Sequence, residues 1–395
     1  MRKQMVQAEK KAIRCGDTRW LKKLEAEINT LLDKEEKMWS LRARVNWLKD
    51  EDRNTRFFHS KASQRRHRNY IKGLFDSSGQ WTTQPNQVVN TAINIYQQLF
   101  TTSNLENLKT VLAEIPQLVT VDMNATLTST FTADEVERAL KQMEPLKSPR
   151  PDGMPPLFYQ NYWSLVGNDV KEAIFLYLNM GSLPKTLGHS FITLIPKVKN
   201  PEYISQYRPI RLSNVLYRVF SKVLANRLKL VLPHIISEQQ SAFLTDQLIS
   251  DNILVAFETL HYVRNHCTGK TRYMALKLDM SKAYDQVEWN YMEKLMVKMG
   301  FCSSWVKLMM ECITITTYSV LINGEPHGHI TPSRGLRQGN PFSPYLFLLC
   351  TEGLHRLINL AMERGELKGV SICRNGPKLT HLLFADDSLV FLQVY

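Results

Sequence analysis

The sequence predicts an α+β chain: an antiparallel sheet with helices packed against it, preceded by a basic helical extension. Three observations carry that reading. Short apolar runs bounded by polar residues lie at 191–196, 273–279 and 382–391, the pattern of short strands. Between the first two runs, Val215, Leu216, Val219, Phe220, Val223 and Leu224 recur at helical spacing, the stripe of a core-facing helix. The first 75 residues hold 20 Lys+Arg against 10 Asp+Glu, with Leu21, Leu24, Ile28, Leu31 and Leu32 also spaced for a helix.

Composition sets the limits. A chain of 395 residues with 44% hydrophobic content can bury a large core and is long enough for two or three domains. The expected segments are 1–75, a basic helical extension; 76–178, mixed; and 179–395, the sheet-bearing domain. A net charge of +13 makes a nucleic acid or another polyanion the expected partner. The six cysteines form no Cys-x-x-Cys pair, which argues against a zinc site or a disulfide framework and fits a reducing compartment. Apolar runs fall short of membrane-spanning length and the start is too charged for a secretory signal. The expected protein is soluble and intracellular, in nucleus or cytoplasm.

The chemistry concentrates near residue 386. In Leu382-Leu383-Phe384-Ala385-Asp386-Asp387-Ser388-Leu389-Val390-Phe391, two apolar runs flank adjacent carboxylates with no lysine or arginine beside them in sequence. The pair is expected on a hairpin turn, where neighbouring anions repel unless a cation sits against them; a hard divalent ion suits oxygen ligands. An ordinary acidic turn is the alternative. A second carboxylate, Asp279, closes the alternating stretch 273–279, where it is either a helix cap or a rigidly mounted ligand. Asp279 facing Asp386 and Asp387 gives three carboxylates for two magnesium ions about 3.5–4 Å apart, the arrangement of in-line phosphoryl transfer.

These residues carry a resemblance. Tyr-Met-Ala-Leu-Lys-Leu-Asp-Met-Ser-Lys-Ala-Tyr-Asp at 273–285 and Phe-Ala-Asp-Asp at 384–387 resemble the two metal-binding motifs of a reverse transcriptase. Gly335-Leu336-Arg337-Gln338-Gly339-Asn340-Pro341 resembles the template-and-nucleotide motif. Leu194-Ile195-Pro196-Lys197, Tyr207-Arg208-Pro209-Ile210 and Gln240-Ser241-Ala242-Phe243 resemble the fingers motifs. The likeness, from about Arg42 to Val390, is to plant LINE-type, non-LTR retrotransposon enzymes.

The resemblance implies right-hand polymerase fingers and palm, with 76–178 as a fingers extension. It implies an RNA-directed DNA polymerase that adds dNTPs to a DNA primer on an RNA template with two Mg2+ ions (Mn2+ is possible). Asp279, Asp386 and Asp387 would be catalytic and metal-binding. Lys197 and Arg208 would hold the triphosphate or be ordinary surface bases; Gln338 and Gly339 would approach template or nucleotide. Tyr284 would close the pocket against a ribose 2′-hydroxyl or serve as core packing.

The remaining elements follow in order. Arg65, Arg66 and Arg68, with Trp47, Phe57 and Phe58 nearby, suit a phosphate-tracking surface with stacking partners, or a solvated helix pair. A hairpin is expected over 73–81, a helix over 88–100, and a capping box at Thr132-Ala133-Asp134-Glu135 opening another. The loop around Lys147 binds phosphate or is a linker. Tyr318 to Ile330 reads as a hairpin on Asn323-Gly324.

Departures accompany the matches. Arg150 stands where most relatives have glycine, Arg211 where serine is common, Asp246-Gln247 where glycine-arginine is usual, Gln286 for arginine and Asn340 for aspartate. The chain stops at Tyr395, so the expectation is a copy lacking thumb and endonuclease. Two alternatives to a polymerase therefore stand: an inactive nucleic-acid-binding remnant, or a basic helical interaction module joined to a poorly folding core.

Overall fold

In the computed structural model the described residues are 2–16, 18–43, 55–146, 153–181, 183–244, 247–266, 272–373 and 376–394. Lys147, Trp47, Arg150 and Asp246 lie outside them. The chain divides into two compact units, Met1–Lys72 with Pro196–Glu202, and Gly73–Ile195 with Tyr203–Tyr395.

The first unit is helical: α1 (Arg2–Cys15), α2 (Arg19–Ala43) and α3 (Thr55–Asn69). Of the α2 stripe, Leu24 is buried while Leu31 and Leu32 stay exposed. Phe58 is buried in this unit, so its face is not offered to a base. Phe57 is half-buried with the Lys61 ammonium 5.6 Å from its ring centre. Trp39 packs on His59 at 4.2 Å.

The second unit begins with the expected hairpin, β1 (Leu74–Phe75) and β2 (Trp81–Thr82). Helices follow: α4 (Pro85–Leu99), α5 (Leu108–Ala113), α6 (Val121–Thr128), α7 (Ala133–Lys141), α8 (Pro156–Asn161), α9 (Trp163–Met180) and α10 (Lys185–Gly188). The capping box opens α7: Thr132 Oγ1 accepts from the Glu135 amide and the Glu135 carboxylate accepts from the Thr132 amide. Next come β3 (His189–Pro196), β4 (Tyr207–Ser213), α11 (Val215–Ile235), α12 (Ile249–Asn265), β5 (Arg272–Asp279), α13 (Trp289–Met299), α14 (Ser303–Thr314), β6 (Thr317–Ile322), β7 (Glu325–Ile330), α15 (Ser343–Glu363), β8 (His381–Phe384) and β9 (Asp387–Val394).

Two sheets position the chemistry. One has the order β4-β3-β6-β7, in which β3 and β6 run parallel from His189↔Thr317 to Thr193↔Leu321. The β6–β7 turn takes positive φ at both Asn323 and Gly324, the left-handed pair that such a hairpin requires. The other sheet is antiparallel, β5-β9-β8. Its alternation is as expected but its burial is reversed on β5: Met274, Leu276 and Leu278 are exposed, while Tyr273 and Ala275 pack with Ala256, Tyr262 and Val263 of α12 around Phe391.

One continuous core joins most helices of the second unit. Leu127, Val136, Ile174, Tyr217, Phe220, Leu228, Met292, Met296, Trp305, Phe342 and Leu348 share it. The α11 stripe lies inside it, as its spacing requires: Val215, Val219, Phe220, Val223 and Leu224 are buried. Truncating a fully buried member such as Leu295 costs about 2–5 kcal/mol.

Candidate active site

The hairpin β8–β9 carries Asp386 on a two-residue turn and Asp387 as the first residue of β9. Phe384 pairs with Asp387, leaving Ala385 and Asp386 between them. Ala385 has φ +52, a left-handed backbone costing an alanine about 1–2 kcal/mol. Neighbouring groups hold it there. The Ala385 amide donates to Gln240 Oε1 at 3.1 Å, and that same oxygen accepts from the Ala242 amide at 3.1 Å. Gln240 is fully buried and its Nε2 donates to Thr351 Oγ1 of α15. The backbone around it bonds to the other edge of β8: the Leu383 amide donates to Gln239 O at 2.8 Å and the Ser241 amide to Leu383 O at 3.3 Å. The Gln-Ser-Ala-Phe stretch therefore lies beside the carboxylate sheet.

Strand β5 brings the third acid. Its register with β9 runs from Arg272↔Val394 to Asp279↔Asp387. Directly opposed residues share a face, with Cβ atoms about 4.5–5.5 Å apart. The Met280 amide donates to Asp386 O at 3.4 Å. Asp279 and the distant Asp386–Asp387 doublet thus end at one rim of one sheet.

A lysine is there too. Lys277 precedes Asp279 by two residues, so the period of a strand puts both on one face, and its Nζ sits 3.0 Å from Asp387 Oδ1. The hydrogen bond to Asp387, then the charges of Asp387 and Asp279, hold the Lys277 ammonium above its usual pKa. Asp387 alone of the pair is met by a cation from across the ladder, a contact invisible in the local sequence. Among the described residues no three His, Cys, Asp or Glu side chains are arranged to hold a metal ion. Behind Asp387 a cavity of about 330 Å³ is lined by Asn252, Ile253, Lys277, Leu382, Phe384 and Asp387.

After Asp279 a 3-10 turn, Ala283–Gln286, carries Tyr284. Its ring stacks on Phe347 of α15 at 4.9 Å and 17°. Burial, then the charge of Asp386, pushes its hydroxyl up to about 12. The glycine loop abuts this turn. The Gly335 amide donates to Val287 O at 2.8 Å and the Leu336 amide to Tyr284 O at 2.6 Å, while Trp289 Nε1 donates to Gly335 O at 2.9 Å. Gly335 has φ +98, and a Cβ there would meet Asp285 O at 2.8 Å, so only glycine fits. Gln338 is half-buried and Gly339 exposed with φ +87.

Arg211 of β4 holds this junction. It is buried; Nη2 donates to Asp285 Oδ1 at 2.6 Å and Nη1 to Leu336 O at 2.7 Å. Its guanidinium lies 4.9 Å from the Phe100 ring centre and 5.1 Å from that of Tyr318. Arg208, three residues earlier on β4, is exposed. Lys197 is exposed in the 196–202 segment of the first unit, where Arg65, Arg66 and Arg68 are exposed on α3. Sequence reasoning passed over Gln240 as a brace and saw Arg211 only as a departure.

Residues 195–394, about half of the chain, match the reverse transcriptase (RNA-dependent DNA polymerase) family. The chain belongs to that family. β4, β5, β8 and β9, the glycine loop and the 3-10 turn all fall inside the matched region. The chain is 28% identical over 355 residues to the 149 kDa protein of transposon TX1 from Xenopus laevis, covering 89% of this chain and 26% of that protein. It is 27% identical over 268 residues to the Pol polyprotein of retrotransposable element R2 from Nasonia vitripennis, covering 64% of this chain and 23% of the relative. A mitochondrial protein of Arabidopsis thaliana is 59% identical over 68 residues, 17% of this chain and 56% of its own length. The chain thus spans about a quarter of the length of these two retroelement relatives. This reverse transcriptase domain is of the non-LTR retrotransposon type. No helix among the described residues is long and apolar enough to cross a membrane.

Proposed function

We propose that this chain is the polymerase part of a non-LTR retrotransposon of plant type, adding dNTPs to a primer 3′ end on an RNA template. The observation that carries the reading is the register of Asp279 against Asp387, one residue from the Asp386 turn. An all-carboxylate set suits hard cations. Asp279, Asp386 and Asp387 share one rim but are not gathered into a ligand cluster as they stand, and their side chains would have to converge to hold the ions. Bound there, Mg2+ or Mn2+ supplies activation of the primer hydroxyl and neutralisation of the departing pyrophosphate. The chain's own residues do the rest. Asp387 must exchange its Lys277 partner for that role, so Lys277 competes for the site. Tyr284, whose ring is held by its stack on Phe347, would close the pocket against a 2′-hydroxyl. Lys197 and Arg208 would offset the triphosphate charge, and Gln338 and Gly339 would line the template–nucleotide path. Arg65, Arg66, Arg68 and Lys147 would contact nucleic-acid phosphates. In this reading β4-β3-β6-β7 belongs to the fingers side and β5-β9-β8 to the palm, with 1–75, 76–178 and 179–395 as extension, fingers extension and fingers–palm.

A second reading is a nucleic-acid-binding remnant without catalysis; the ion pair already formed on Asp387 favours it. Primer extension on poly(rA)/oligo(dT) separates the two. The polymerase reading expects extension that Asp386→Asn abolishes while RNA binding is kept. Salt-dependent RNA binding with no extension by either protein selects the remnant.

A further inference from the structure

We propose that Arg211 is a positioning residue for nucleotide selection: paired with Asp285, it fixes the Tyr284 backbone and the glycine loop as one rigid unit. This rests on the polymerase reading above. The bonds form a closed circuit. Arg211 Nη2 donates to the Asp285 carboxylate; Asp285 is covalently joined to Tyr284; the Tyr284 carbonyl accepts from the Leu336 amide; and the Leu336 carbonyl returns to Arg211 Nη1. Both ionic side chains are almost fully buried, 1% and 2% exposed, so the pair is unscreened by solvent. A guanidinium is suited to this place because its planar fork reaches two acceptors at fixed angles. The aromatic rings of Phe100 and Tyr318 lie against the guanidinium, their centres 4.9 and 5.1 Å from it.

The circuit explains why a buried pair is tolerated here. Such a pair contributes little net stability over an apolar one of equal volume, and its best use is to fix a register. What it registers is the ring of Tyr284 relative to Gln338 and Gly339, two parts of the chain that would bound an incoming nucleotide from different sides. Arg211 also ties both to β4, the strand bearing Arg208. The Tyr284 turn and the glycine loop are thereby set by one buried side chain, on the strand that also bears Arg208.

The test separates position from stability. Arg211→Met alone leaves a buried carboxylate unpaired, and the enzyme should lose both thermal stability and discrimination. The double variant Arg211→Met/Asp285→Leu removes the charges together, so the melting temperature should recover to within a few degrees of wild type. The Leu336 carbonyl remains unheld. The ratio of kcat/KM for dTTP over UTP on poly(rA)/oligo(dT) should therefore stay at least about tenfold below wild type, a 1.4 kcal/mol difference. Adding the pair of substitutions to Tyr284→Ala should lower the ratio no further. A ratio that recovers along with the melting temperature overturns the proposal. If wild type extends no primer, the polymerase reading fails, and hydrogen exchange at the Leu336 amide decides the strut: wild-type protection in the stable double variant overturns it.

Discussion

Gln240 Oε1 accepts the amide of Ala385 at 3.1 Å across 145 residues of sequence, and this bond ties the turn bearing Asp386 to the segment that follows α11. The amide it satisfies belongs to a left-handed alanine, a conformation that persists only where its surroundings over-determine it. Gln240→Leu removes the acceptor from a buried donor, at a cost of about 1–3 kcal/mol. The expected outcome is a lower unfolding midpoint together with weaker primer extension. Gln240→Glu, which keeps an oxygen in place, should be milder on extension than Gln240→Leu.

Lys277 and the cations compete for one carboxylate oxygen. Lys277→Met frees Asp387, so the Mg2+ concentration giving half-maximal extension should fall about three- to tenfold. Titrating Mg2+ against initial rate for the two proteins measures this. An unchanged half-saturation would show that Asp387 takes no part in holding the ion.

Acid should destabilise the fold through His355 and His381. Asn359 Nδ2 donates to His355 Nε2 at 2.8 Å, so His355 carries its proton on Nδ1 and donates to His381 Nε2 at 2.8 Å. His381 in turn donates from Nδ1 to Thr380 Oγ1. The chain of bonds is complete only with both rings neutral. Burial, then the charge of Arg356, lowers His355 to about 4, and burial, then His355, lowers His381 to about 4. Between pH 6.5 and 4 the unfolded chain binds more protons than the folded one, so stability falls as pH drops through that window. Glu352, raised by burial, works in the opposite sense. The melting temperature should decline from pH 6.5 to 4, and His381→Gln, with one of the two sites gone, should reduce the slope by about half.

Arg227 should prove a keystone of the helical layer. It reaches both Glu135 oxygens and the carbonyls of Leu127, Ser129 and Thr130, with Phe131 against its guanidinium at 3.6 Å. Arg227→Met strands these acceptors, and chemical denaturation should report a loss of about 3–5 kcal/mol. Thr132→Ala removes only a cap and should cost about 1 kcal/mol.

The sequence was most legible where a local rule decides the outcome. Asn323-Gly324, the Thr132–Glu135 box, the α11 stripe and the Asp279 strand end all depend on neighbours within a few residues. Reading failed where a contact spans the ladder or the core. Lys277 meets Asp387 only once β5 and β9 are in register, although its two-residue offset from Asp279 already put it on that face. Arg211 could be found only by knowing that β4 lies beside both the 3-10 turn and the glycine loop. Met274, Leu276 and Leu278 show the limit of periodicity: it gives the period of a strand and leaves open which face the helices will cover. Phe58 shows another, since an aromatic among bases can serve the helix packing instead of a ligand.

Strand β5 lies at the margin of its sheet, and the rung that ends it is Asp279. An open margin with outward methionine and leucines is a template for another chain's backbone. Crowding copies together should therefore silence them by sheltering the acid between two molecules, and dilution should restore turnover per molecule.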